Sequence, residues 1–131
     1  MKDSEANLVE TENCEITEEI LLQKMLKYMD DVPSANLKDI REAFGVDSRA
    51  LTILFHKHLN TSPTEYLRKK RIKLAKRLLT KTDKSVTEIS EECGMDLSAM
   101  GTLFRNYVGC NPSDYRRQYL RKKFQKDHKM K

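Results

Sequence analysis

Residues 45–66 read GVDSRALTILFHKHLNTSPTEY, and residues 94–115 read GMDLSAMGTLFRNYVGCNPSDY. The second stretch starts 49 residues after the first and keeps Gly, Asp, Ala, Leu-Phe, Pro and Tyr in the same order at the same spacing. Working outward at that offset, Leu37 falls on Val86, Ile40 on Ile89 and Arg68 on Arg117. So many residue types matching at one offset are hard to attribute to chance. The chain contains one structural unit twice.

Each copy reads as two short helices around a turn. Asn36, with Asp39 three residues on, caps a helix that ends near Phe44. Gly45 supplies the left-handed residue that stops it. Asp47 and Ser48 open a second helix over about 49–59, in which Leu51, Leu54, Phe55 and Leu59 recur at helical spacing. In the second copy Ser85 and Glu88 make a capping box, and the first helix runs to about Cys93. Gly94 then turns the chain, and Asp96 caps a helix over about 97–108. Each pair is a helix-turn-helix.

SPTEY and NPSDY launch further helices. Ser62 and Asn111 suit the cap, and Pro63 and Pro112 the first helical position, where a missing N–H costs nothing. Glu65 and Asp114 stand where an acid can reach back to the cap. The helix from Pro63 is expected to run to about Thr80, ~27 Å long, and to connect the two copies. Leu67, Ile72, Leu74, Ala75, Leu78 and Leu79 share one side of it, with five Lys and Arg opposite. Arg68 and Arg71 fall among the apolar residues and are expected to pair with acids. Before the first copy, residues 16–30 read as an amphipathic helix whose Ile20, Leu21, Met25, Tyr28 and Met29 can pack on it.

The expected fold is therefore all-α: two helix-turn-helix (homeodomain-like) subdomains joined by a connecting helix. The expected organisation is an acidic disordered leader at 1–15, a first unit at 16–61, a connecting helix at 62–81, a second unit at 82–119 and a basic tail at 120–131. That tail reads equally as a phosphate clamp or as a disordered solubilising segment.

Composition agrees. Of 131 residues 38% are apolar and 34% charged, Trp is absent, and Gly and Pro are few, which suits helices better than sheet. No apolar run approaches the ~20 residues of a membrane span, and the acidic start is not a signal peptide. A cytoplasmic protein without membrane contact is expected. Cys14, Cys93 and Cys110 are odd in number and lack CxxC spacing, so they read as reduced thiols, Cys93 as a core residue. His56 and His58 stand two apart on a helix and cannot face one metal. No Ser-His-Asp set, phosphate loop or HExxH occurs, so no catalytic residue, metal or cofactor is expected. The net charge of +5 conceals an asymmetry. Residues 1–32 carry 3 basic against 9 acidic residues, whereas residues 33–131 carry 22 basic against 11 acidic. A small module that basic calls for a polyanionic partner.

These stretches resemble the DNA-binding domain of the AraC/XylS family of bacterial transcription regulators. The likeness rests on LKDIREAFGVDSRALTILFHKHLNTSPTEYLRKKRIKLAKRLL and SVTEISEECGMDLSAMGTLFRNYVGCNPSDYRR. It covers about residues 16–119, and the chain resembles the small stand-alone members or a C-terminal piece of a larger regulator. The resemblance implies two helix-turn-helix subdomains on one helix, with both second helices entering successive major grooves of double-stranded DNA. A connector of ~27 Å suits readers ~34 Å apart. It also implies contact with RNA polymerase beside a promoter, more often as activator than repressor. The sequence holds no long heptad and no evident exposed apolar patch, so a monomer on DNA is expected.

By register from the Gly and Phe landmarks, the base-contacting positions fall on Arg49, Thr52 and Ile53 in the first unit. In the second they fall on Leu97, Ser98, Gly101 and Thr102, chief among them Ser98 and Thr102. His56, Lys57 and Arg105 fall near the DNA backbone. Two departures stand out. The family commonly has Arg two residues before the reading-helix Phe, where this chain has Ile53 and Thr102. Gly94 to Phe104 is also one residue shorter than the family's usual second unit. Thr52 and Ile53 can touch thymine methyls, which would favour A·T pairs. The competing reading is a protein-interaction module that modulates a full-length relative.

Overall fold

The computed structural model describes the backbone of residues 2–129 and the side chains of 17–126. Over that range the chain forms seven helices and no strand. They are α1 (Lys2–Asp31), α2 (Leu37–Phe44), α3 (Ser48–Leu59), α4 (Pro63–Lys81), α5 (Val86–Glu92), α6 (Leu97–Val108) and α7 (Pro112–Lys129). They gather into two compact units, residues 1–65 and 66–131. The division falls inside α4, so the connecting helix is not a neutral rod between them.

The repeat is a structural fact as well as a sequence one. Asp47 and Asp96 each accept the amide of the residue three on, at 2.7 Å, and each opens a 12-residue helix. Gly45 (φ 64°) and Gly94 (φ 75°) both stand in the left-handed region. Each lets the following amide reach back five residues: Val46 N–H donates to Arg41 O at 3.1 Å and Met95 N–H to Ser90 O at 2.9 Å. That six-to-one bond is the Schellman closure. Asn60 (φ 54°) and Gly109 (φ 94°), 49 positions apart, end α3 and α6 in the same conformation. The reciprocal capping box forms at Asn36 and Asp39, while Ser85 Oγ accepts from Glu88 N–H. Ser62 and Asn111 cap the helices that begin at Pro63 and Pro112.

In unit 1, α1 packs on α2 and α3. Leu22, Met25, Met29, Ile40, Leu51, Leu54 and Phe55 are buried, and Tyr28 meets Phe44 edge-on at 5.8 Å. The α1 stripe is turned from the expected one. Leu22 is 6% exposed and Ile20 is 46% exposed. At 100° per residue Ile20 lies across the helix from Met25 and Met29, whereas Leu22 shares their side. The backbone of 2–15, expected as a disordered leader, is helical as part of α1. No Gly or Pro interrupts it, and its acids suit the positive end of a helix.

In unit 2, α4 supplies Ile72, Ala75, Leu78 and Leu79 to a core completed by Ile89, Cys93, Met100, Leu103 and Phe104. Phe104 and Tyr115 meet edge-on at 5.4 Å. Cys93 is a core residue as expected; burial pushes its thiol up to about 11, and its Sγ–H points to Arg71 O at 3.8 Å. Arg116 reaches from α7 to the end of α4, donating from Nε to Leu79 O (3.0 Å) and from Nη2 to Thr82 O (3.3 Å). α7 continues through the basic tail to Lys129, so the disordered reading does not describe that backbone. Cys14 lies outside the described side chains.

Candidate nucleic-acid interface

The site is built from the buried side of each second helix. Leu51, Leu54 and Phe55 anchor α3, and Met100, Leu103 and Phe104, at the same offset, anchor α6. With these three neighbouring positions held down on one side, the opposite stripe of each helix is committed to the surface. In α3 that stripe is Arg49, Thr52, Ile53 and His56, all exposed, with Ile53 at 56%. Residues three and four apart on a helix are neighbours, so the fold brings these four together. In α6 the matching stripe is Ser98, Gly101, Thr102 and Arg105, with exposed Leu97 beside it.

The polar groups on these stripes are partly organised. Thr52 Oγ1 donates to Ser48 O at 2.9 Å, so its hydroxyl proton is spent on its own helix. What remains to the surface is a methyl group and oxygen lone pairs. Ile53 next to it is apolar and bare. Lys57, one of the expected backbone contacts, donates to Glu18 Oε2 at 2.9 Å. Glu18 also lies 3.0 Å from His58 Nε2. The hydrogen bonds from His58 and Lys57 hold the Glu18 carboxyl below its ordinary range. A phosphate approaching Lys57 therefore competes with a carboxylate from α1, 39 residues away in the chain, which sequence register could not reveal.

In α6 the observation that sequence reasoning missed concerns Arg105. Its side chain is folded back along the helix: Nη2 lies 3.5 Å from Thr102 Oγ1, and Nη1 lies 3.4 Å from where a Cβ on Gly101 would stand. The signal was present as a glycine four residues before an arginine on one helix face. Among the described residues no group of three or more His, Cys, Asp or Glu side chains could hold a metal ion. No described helix is long and apolar enough to cross a membrane.

The helix-turn-helix domain family matches residues 40–118. Among solved structures, the DNA-binding domain of the global transcriptional factor AdpA, in complex with a target DNA, superposes with a TM-score of 0.71 at 23% identity. The match covers 79% of this chain and 96% of that one. A transcriptional regulator from Chromobacterium violaceum with an AraC-type DNA-binding domain gives 0.64 at 27% identity, over 79% and 96%. The C-terminal domain of the response regulator yesN from Fusobacterium nucleatum gives 0.64 at 28%, over 76% and 97%. No curated protein matches the chain. The chain belongs to the AraC-type helix-turn-helix family of DNA-binding transcription regulators.

Proposed function

We propose that this chain is a sequence-specific, double-stranded DNA-binding transcription regulator of bacterial type. On this reading it binds as a monomer and lays α3 and α6 in adjacent major grooves. The observation that carries the reading is the pair of stripes Arg49-Thr52-Ile53-His56 and Ser98-Gly101-Thr102-Arg105. Each is presented by a helix that is buried at the same three positions on its other side. Such a helix fits a groove about 12 Å wide. Short side chains at mid-stripe let it sit deep, and in α3 the Arg49 guanidinium supplies the group best suited to guanine. By sequence register Arg49, Thr52, Ile53, Ser98 and Thr102 are the base-contacting residues, and His56, Lys57 and Arg105 serve the backbone. The excess of basic residues after residue 32 supplies charge-driven affinity, which weakens steeply with salt. Contact with RNA polymerase beside the bound site is the output.

Selection of bound duplexes from a random library at about 0.15 M salt tests this. A two-part motif about 10 base pairs apart is the expected result. Arg49→Ala should then cost roughly 1–3 kcal/mol on the preferred site and relax discrimination at one position. If no motif is enriched, sequence-specific binding is refuted and the chain is a protein-interaction module.

A further inference from the structure

The two reading stripes carry their guanidinium at opposite ends. In α3 it belongs to Arg49, in the first turn. The matching residue of α6 is Ser98, and Arg105 occupies the position that His56 holds in α3. Thr102 stands where the family most often has Arg. By sequence register, α6 has no guanine-reading residue and Arg105 is a backbone contact.

The geometry revises that. Helical side chains lean toward the N-terminus, so a long side chain covers the turn before its own Cα. Arg105 does so to the full extent, its guanidinium lying over Gly101. Its Nη1 reaches to 3.4 Å from the point where a Gly101 Cβ would stand. Thr102 Oγ1 offers the fork an acceptor at 3.5 Å, the outer limit of hydrogen-bond reach. The guanidinium thus covers the surface at positions 101 and 102 although its backbone is one turn away. A residue that only grips phosphate needs charge and reach, and gains nothing from lying against its own helix. A fork at mid-stripe faces whatever lies against that stripe. Guanidinium has five N–H donors, so one directed at Thr102 leaves a pair for guanine O6 and N7.

We infer that Arg105 is the guanine-reading residue of α6, its fork seated over Gly101 and oriented by Thr102 Oγ1. This rests on the DNA-reading function proposed above, and it makes the second unit a base reader with a G·C pair in its half-site.

The test is selection from a random duplex library with the full wild-type chain, Arg105→Ala and Arg105→Lys. Circular dichroism checks that the exposed substitutions leave the fold intact. The expected wild-type motif has two parts, with guanine at one position of the second. Arg105→Ala should lose that preference alone, by roughly 5- to 150-fold, the discrimination of one bidentate pair. Arg105→Lys keeps the charge without the fork and should restore only part of it. The inference is overturned if the second half-site lacks a guanine or is absent. It is equally overturned if Arg105→Ala weakens all sequences alike with a shallower salt slope, or if Arg105→Lys binds and discriminates as wild type does. A wild-type chain that enriches no motif at all would instead sink the DNA-reading function itself, and this inference with it.

Discussion

Replacing Gly101 by Ala should make this protein more stable. Glycine in a helix interior costs about 1 kcal/mol relative to alanine, because the unfolded chain is freer and no side chain shields the backbone. Two conditions can cancel that gain, and neither holds here. Gly101 lies inside α6 and is not among the positive-φ residues, so alanine meets no backbone strain. A Cβ there would meet Arg105 Nη1 at 3.4 Å, an ordinary contact with the end of a flexible side chain. The expected gain is therefore close to the full ~1 kcal/mol. It should raise the midpoint by roughly 4–8 °C if unit 2 melts by itself, or by about 2–4 °C if the chain melts as one. Thermal melts followed by circular dichroism at matched concentration measure this. Gly45→Ala is the control of opposite sign. Its surroundings are empty, but φ is +64°, and an L residue there costs roughly 1–2 kcal/mol. A Gly101→Ala midpoint at or below wild type would refute the reasoning. It would mean that the backbone of α6 departs from a regular helix at that point.

Two further perturbations probe the contacts that hold each unit. Glu18 carries a depressed folded-state pKa, caused first by its hydrogen bond with His58 and then by that from Lys57. Its contribution to stability is therefore fully present above the ordinary value of 4.5 and is lost as pH falls through the lower folded value. The Lys57 and Glu18 side chains are 48% and 39% exposed, so solvent screening keeps the effect within ~1 kcal/mol. Glu18→Gln should melt below wild type at pH 6, with the gap closing below pH 4.5; a gap that widens in acid would contradict the assignment. Arg116→Ala removes both donors that close the end of α4. It should cost about 1–2 kcal/mol in a denaturant titration, and an unchanged midpoint would show that water satisfies those carbonyls equally well.

How far the sequence carries can be judged at particular residues. Gly45, Asp47, Pro63 and their partners 49 positions on announced the turns, caps and helix starts to within a residue or so, because each acts on backbone groups three to five residues away. The anchors Phe55 and Phe104 were legible for the same reason, since a helical period decides which residues share a face. The phase of α1 was harder. Ile20 and Leu22 are both apolar, and only packing on α2 and α3 chose Leu22. The extent of α1 also escaped, since an acidic stretch without an apolar stripe reads as unstructured although nothing in it forbids a helix.

The sequence by itself determined the two-fold repeat, the helix-turn-helix in each copy, and which stripe of each second helix faces outward. All of these follow from local hydrogen bonding and helical period. Tertiary structure alone decided that α4 lends its apolar side to the second core, that Glu18 occupies Lys57, and how Arg116 closes α4. These contacts join residues on different helices, those of Glu18 and Arg116 more than thirty positions apart in the chain, so they exist only once the helices have met. The seat of Arg105 over Gly101 lies between the two cases. Its residues are local, but the rotamer that joins them is a property of side-chain geometry, and no pattern of residue types specifies it.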